Sequence, residues 1–82
     1  MLNLSLWLLT MPKLLSSKQV VKILENNDFV FISQKGSHLK FRKQGLKNIT
    51  AIVPANRKEI PMGTLHSIIR QSALVRENFG IL

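Results

Sequence analysis

The apolar positions change period several times along the chain, and each change predicts an element. Ser16 followed by Gln19 forms a capping box, in which a hydroxyl and an amide each satisfy an end-of-helix N–H. Val20, Ile23 and Leu24 then recur at helical spacing, with Leu15 as a staple before the cap. Asn26-Asn27 is expected to end this helix, because Asn tolerates a left-handed backbone. The spacing predicts a first helix over about residues 17–26. Phe29-Val30-Phe31-Ile32 is β-branched and aromatic and predicts a strand over about 29–34. Lys35-Gly36-Ser37 reads as a turn, with Gly36 free to take positive φ. From His38 to Arg42 the pattern alternates strictly. Leu39 and Phe41 share one face, and His38, Lys40 and Arg42 share the other. A second turn around Gly45 spans Lys43 to Lys47, and NITAIV predicts a third strand over about 48–53, ended by Pro54. A loop with Asn56, Arg57 and Lys58 leads to Pro61, which suits a first helical turn. Leu65, Ile68 and Ile69 predict a second helix over about 62–73, and a short helix or turn near 75–80 can bury Phe79.

The order is helix, three antiparallel strands, helix, with a short extra C-terminal helix. Both helices are expected on one face of the sheet, which gives an α+β two-layer sandwich with the other sheet face open to water. The sheet phenylalanines are expected to be core rather than base-stacking platforms.

Residues 1–10 do not fit this scheme. They carry no charge, and Leu2, Leu4, Leu6 and Leu8 alternate as a strand would. The run is too short for a membrane span of about 20 residues, and no basic stretch precedes it as in a secretory signal. Met11-Pro12-Lys13 resembles a second start. The expected organisation is an apolar N-terminal extension over 1–10, outside the functional fold, and one domain over 11–82. The competing use of the extension is a strand added to a sheet edge or a partner chain.

Composition narrows the chemistry. Eighty-two residues suffice for one small core, with twelve Lys+Arg against four Asp+Glu and a formal net charge of +8. With no Cys there is no disulfide, redox centre or zinc ribbon. Glu25, Asp28, Glu59 and Glu77 are scattered, whereas hard cations want clustered carboxylates, so no metal or other cofactor is expected. Between Phe29 and Lys58 there is no acid, but there are seven bases. A one-sign block inside a folded region is a footprint suited to a phosphate backbone. The plainer explanation is a solvated basic face that keeps the domain soluble.

The strongest chemical candidate is His38. It opens the second strand directly after a glycine turn, on the polar face with Lys40 and Arg42. Imidazole changes charge near neutral pH and can take and return a proton. RNA cleavage needs a base for the ribose 2′-OH and cations for the charge that builds at phosphorus. A surface strand histidine contacting phosphate explains the same residue without catalysis. Lys35, Arg57 and Lys58 join Lys40 and Arg42 as candidate phosphate contacts. His66, on the second helix beside Leu65, is expected to point to solvent or the helix flank.

Over about Pro12 to Phe79 the sequence resembles the HicA family of toxins from prokaryotic toxin–antitoxin systems. The resemblance rests on LSSKQVVKILENNDFVFISQKGSHLKF and VPANRKEIPMGTLHSIIRQ, and most strongly on Gln34-Lys35-Gly36-Ser37-His38, Val53-Pro54 and Pro61-Met62-Gly63-Thr64-Leu65. The resemblance implies a double-stranded-RNA-binding-domain-like α-β-β-β-α fold. It implies a cytoplasmic ribonuclease that cleaves mRNA and blocks translation, with His38 as the catalytic histidine and Gly36 and Ser37 as the supporting turn. The implied partners are mRNA and an acidic HicB-type antitoxin that covers the active face, with no membrane. The alternative is a non-catalytic module that binds RNA or antitoxin. One departure stands out. Similar sequences continue Arg-Gln-Ala-Gly-Leu/Ile-Ser after the second helix, but here Ser72, Ala73, Leu74 and Val75 follow Arg70-Gln71, without the glycine or the serine cap.

Overall fold

The computed structural model describes residues 14–81, so the proposed extension over 1–10 and the second start at Met11 lie outside the described residues. Helix α1 spans Ser17–Asn26. Its capping box forms: the Ser16 hydroxyl accepts the Gln19 N–H at 3.1 Å, and the Ser16 N–H donates to Gln19 Oε1 at 2.8 Å. The helix end differs in detail from expectation. Asn27 keeps φ −110°, and Asp28 takes the left-handed backbone at φ +68°. Asn27 instead donates through Nδ2 to the Ile23 carbonyl at 2.8 Å, which closes the last turn one residue earlier than the reversal.

Three strands follow: β1 (Phe29–Lys35), β2 (His38–Lys43) and β3 (Thr50–Pro54), antiparallel in the order β1-β2-β3. The third strand starts two residues later than its apolar pattern suggests, because Lys47 and Asn48 are used in the turn. Pro54 is part of it. The Ile52 N–H points off the free edge and is met by Gln71 Oε1 at 3.0 Å. Pro54, two residues on, faces the same way, so its missing N–H costs no ladder bond.

Helix α2 covers Met62–Ser72, with Pro61 at the cap position rather than inside the first turn. It ends at Ser72, and Ala73 adopts the left-handed backbone at φ +59°, the position where the resemblance leads one to expect glycine. A 3₁₀ turn, Arg76–Phe79, closes the chain and buries Phe79. No side chain caps this turn, and Asn78 Oδ1 accepts the N–H of Val75, the cap residue itself, at 2.9 Å.

Both helices pack on one sheet face. Val20 and Leu24 of α1 and Leu65 and Ile68 of α2 meet Phe41, Ala51 and Val53, all buried. Apolar burial of this kind is the main term holding so small a domain together. One core expectation fails. Phe31 lies opposite Phe41 and packs edge-on against it at 5.8 Å between centroids, yet it is 54% exposed. It stands on the edge strand beyond the cover of the helices, so only one side of its ring finds a neighbour. No helix among the described residues is long and apolar enough to cross a membrane.

Candidate active site

The geometry of the site starts at the β1–β2 turn. Gly36 takes φ +58°, and Lys35 pairs directly with His38, so the turn contains only Gly36 and Ser37. A Cβ at Gly36 would meet no atom within 4 Å, so its left-handed backbone, rather than space, calls for glycine.

Register then sorts the side chains between the two faces. Lys35 stands opposite His38, His38 opposite Pro54, Lys40 opposite Ile52, and Arg42 opposite Val30 and Thr50. Directly opposed residues share a face. A bulge at Ile32 lets Ser33 sit opposite Lys40 and restores the alternation toward the turn. Lys35, His38, Lys40 and Arg42 therefore occupy the sheet face that neither helix of the described residues covers, with Val30, Ile32 and Ile52 beside them. Their like charges are tolerable there because water screens them.

His38 is exposed, and among the described residues no hydrogen bond holds its imidazole. Arg42 is half-buried, and its Nε–H is shielded from solvent without an acceptor among the described residues. A buried unmet donor of this kind costs about 1–3 kcal/mol, and an anion over the face could relieve it. Among the described residues no three His, Asp or Glu gather into a metal-binding group.

The sheet end carrying His38 is tied down from behind. The Ala55 N–H donates to the Ser37 carbonyl at 2.7 Å, which fixes the turn to the chain leaving β3. Ser17, the first residue of α1, is buried behind it. Its hydroxyl donates to the Pro54 carbonyl and accepts the Arg57 N–H at 2.9 Å, while its own N–H donates to the Arg57 carbonyl at 2.9 Å. In the sequence Ser17 is inconspicuous, because its neighbour Ser16 carries the cap. The available signal was spacing: 17, 20 and 24 lie on one helical stripe, so a serine at 17 faces the core and must find partners.

The predicted phosphate contacts do not all meet. Arg57 and Lys58 lie on the helix side of the sheet, along a groove of about 710 Å³ between α1, the hairpin and the loop after β3. Lys43, one of the seven bases of the acid-free stretch, serves the fold: its Nζ donates to the Asn27 carbonyl at 2.7 Å and lies 5.5 Å from the centre of the Phe29 ring. His66 is exposed on α2 in a separate hollow of about 340 Å³ with Ile69, Arg70 and Arg76.

A helix, a three-stranded antiparallel meander and a second helix, with a histidine directly after a glycine turn among cations, is the arrangement that the resemblance implies. No curated protein matches the chain. A family model described as the HicA toxin of bacterial toxin–antitoxin matches residues 17–74, from the first residue of α1 to just past the end of α2. That match takes in both helices, the whole sheet and the His38 turn, and the chain therefore belongs to the HicA toxin family.

Proposed function

We propose that this toxin is a metal-independent endoribonuclease that cleaves mRNA in the cytoplasm and is neutralised by an acidic HicB-type antitoxin. The observation that carries the proposal is the register that puts His38, Lys35, Lys40 and Arg42 on one uncovered face beside a short, pinned turn.

In this mechanism the neutral His38 imidazole takes the proton of a ribose 2′-OH. The 2′ oxygen attacks the adjacent phosphorus, the P–O5′ bond breaks, and the 5′ oxygen leaves with a proton given back by the His38 imidazolium or taken from water. The products are a 2′,3′-cyclic phosphate and a 5′-OH, and no oxidant or metal enters the balance. Lys40 and Arg42 stabilise the charge on the non-bridging oxygens, and Lys35, across the turn, holds the neighbouring phosphate. The unpartnered Arg42 Nε–H gives that side chain a reason to turn toward a phosphate oxygen. Gly36 and Ser37 keep the turn short enough for RNA to reach His38.

The antitoxin belongs on the same face. An acidic surface matches its cations, and Val30 and Ile32 supply exposed apolar area between them.

The test is His38→Ala in the purified full chain, with the 3′ ends of cleaved RNA analysed. The variant is expected to lose cleavage by about 10²–10⁴-fold, the usual contribution of a positioned acid–base group, while still binding RNA and antitoxin. Wild-type products without a cyclic or derived 3′ phosphate would sink the mechanism. Cleavage that does not depend on His38 would reduce the domain to a binding module.

A further inference from the structure

The groove behind the hairpin has a composition that the His38 face lacks. Its helical wall is Lys18, Val21, Lys22 and Glu25. These residues lie three and four apart and form one stripe of α1, beside the buried stripe of Ser17, Val20 and Leu24. The opposite wall is Gln34 and Leu39 of the hairpin, and the end is closed by Ala55, Asn56, Arg57 and Lys58. Val21, Leu39 and Ala55 are half-buried and give an apolar floor, while the four cations stand exposed at the rim. The volume of about 710 Å³ is in the range of small-molecule clefts, roughly 300–1,000 Å³.

The groove also connects to the proposed centre through the backbone. Leu39 follows His38 directly, so the two side chains leave opposite faces of the same strand. Ala55, in the groove, is hydrogen-bonded to the Ser37 carbonyl in the turn. A chain leaving His38 needs only to pass over the end of the sheet, across Ser37 and Ala55, to enter it.

We infer that this groove is a nucleotide subsite, which holds a base of the RNA strand a few nucleotides from the scissile phosphate and so contributes to where the toxin cuts. The inference rests on RNA being the substrate of the His38 face. The groove chemistry favours a nucleotide over an acidic peptide. Carboxylates ask only for donors, whereas base edges ask for donors and acceptors together; the Asn56 amide supplies both, and Gln34, whose Nε2 already donates to the Gly36 carbonyl at 3.0 Å, adds its Oε1 as an acceptor. The apolar floor takes the face of a base, and Lys18, Lys22, Arg57 and Lys58 meet the flanking phosphates. Glu25, at the far end of the stripe, repels phosphate and sets the limit of the track.

The test uses Lys18→Ala with Lys22→Ala, two exposed helical positions where alanine preserves the fold. Binding of a fluorescent single-stranded 12-mer RNA is measured against salt in the His38→Ala background, so that no cleavage is needed. Cleavage of the same 12-mer and of a dinucleotide is measured with His38 intact. The salt slope is expected to fall by about 0.7 for each phosphate that a lysine no longer neutralises. Cleavage of the 12-mer is expected to weaken, while cleavage of the dinucleotide, too short to reach the groove, stays at the wild-type rate. An unchanged salt slope, or equal losses on both substrates, overturns the subsite. Loss of antitoxin binding with RNA binding intact assigns the groove to a protein and also overturns it. Lysine-dependent RNA binding by a wild type that cuts no RNA keeps the groove as a nucleotide-binding site and sinks the ribonuclease assignment, and with it the groove's part in choosing the cut.

Discussion

Ser17 shows how a single hydroxyl can organise a site from behind. It is buried, and it joins the start of α1 to Pro54 and Arg57, on the two sides of the loop that pins the His38 turn. Replacement by alanine leaves the Arg57 N–H and the Pro54 carbonyl without this partner. Ser17→Ala is expected to cost about 1–3 kcal/mol in urea unfolding, the usual penalty for stranding buried polar groups, and to lower RNA cleavage without touching substrate. Ala73 is the opposite case. It holds a left-handed backbone that costs an L-residue about 1–2 kcal/mol. Ala73→Gly is expected to stabilise the domain by about 1 kcal/mol, read as a higher urea midpoint with unchanged cleavage. A destabilised variant would show that the neighbouring hydrogen bonds, Ser72 Oγ with the Ile69 carbonyl and the Leu74 N–H, already carry the turn.

Among the elements, the β1–β2 hairpin divides the labour of the sheet. One face of β2 sends Phe41 into the core, and the other presents His38, Lys40 and Arg42. Period-two alternation made that division legible before any coordinates, and the strict run from His38 to Arg42 carried it. Alternation could not tell how far along β1 the helices would reach, because the sequence of one strand does not state what packs over it. Phe29 and Phe31 look equivalent in the pattern, yet one is buried and the other is more than half exposed. Their energetic roles should differ accordingly. Phe31→Ala is expected to cost about 1 kcal/mol, close to the value of one edge-on aromatic pair. Phe41→Ala should cost about 3–5 kcal/mol, with the cavity included. Equal losses in denaturant unfolding would mean that Phe31 is covered in solution.

Across the domain as a whole, seven of the twelve Lys and Arg side chains behind the net charge of +8 stand on two surfaces. Lys35, Lys40 and Arg42 share the open sheet face with His38, whereas Lys18, Lys22, Arg57 and Lys58 rim the groove behind. RNA binding should therefore be steeply salt-dependent. The three cations of the open face alone predict a slope of about 2 in log affinity against log salt for a single strand. Lys40→Ala with Arg42→Ala should remove most of that share, and a slope indifferent to them would take the phosphates off this face.

The element order, the cap of α1, the Gly36 turn and the pairing of His38 with two cations on one strand face can all be read along the chain. These depend on local spacing, on periods of 3.6 and 2, and on the φ that glycine allows, all of which act between near neighbours. The family is legible in the same way, through motifs spread across the same elements. Long-range packing settles the rest: how much of β1 the helices cover, which bases are spent on the fold, and which stand on opposite sides of the sheet. Arg57 and Lys58 looked like companions of His38 because they belong to the same acid-free stretch. The chain crosses the sheet between them, and a charge run has no record of that crossing. Ser17 links residues 37 and 40 positions apart, a distance that no local pattern spans.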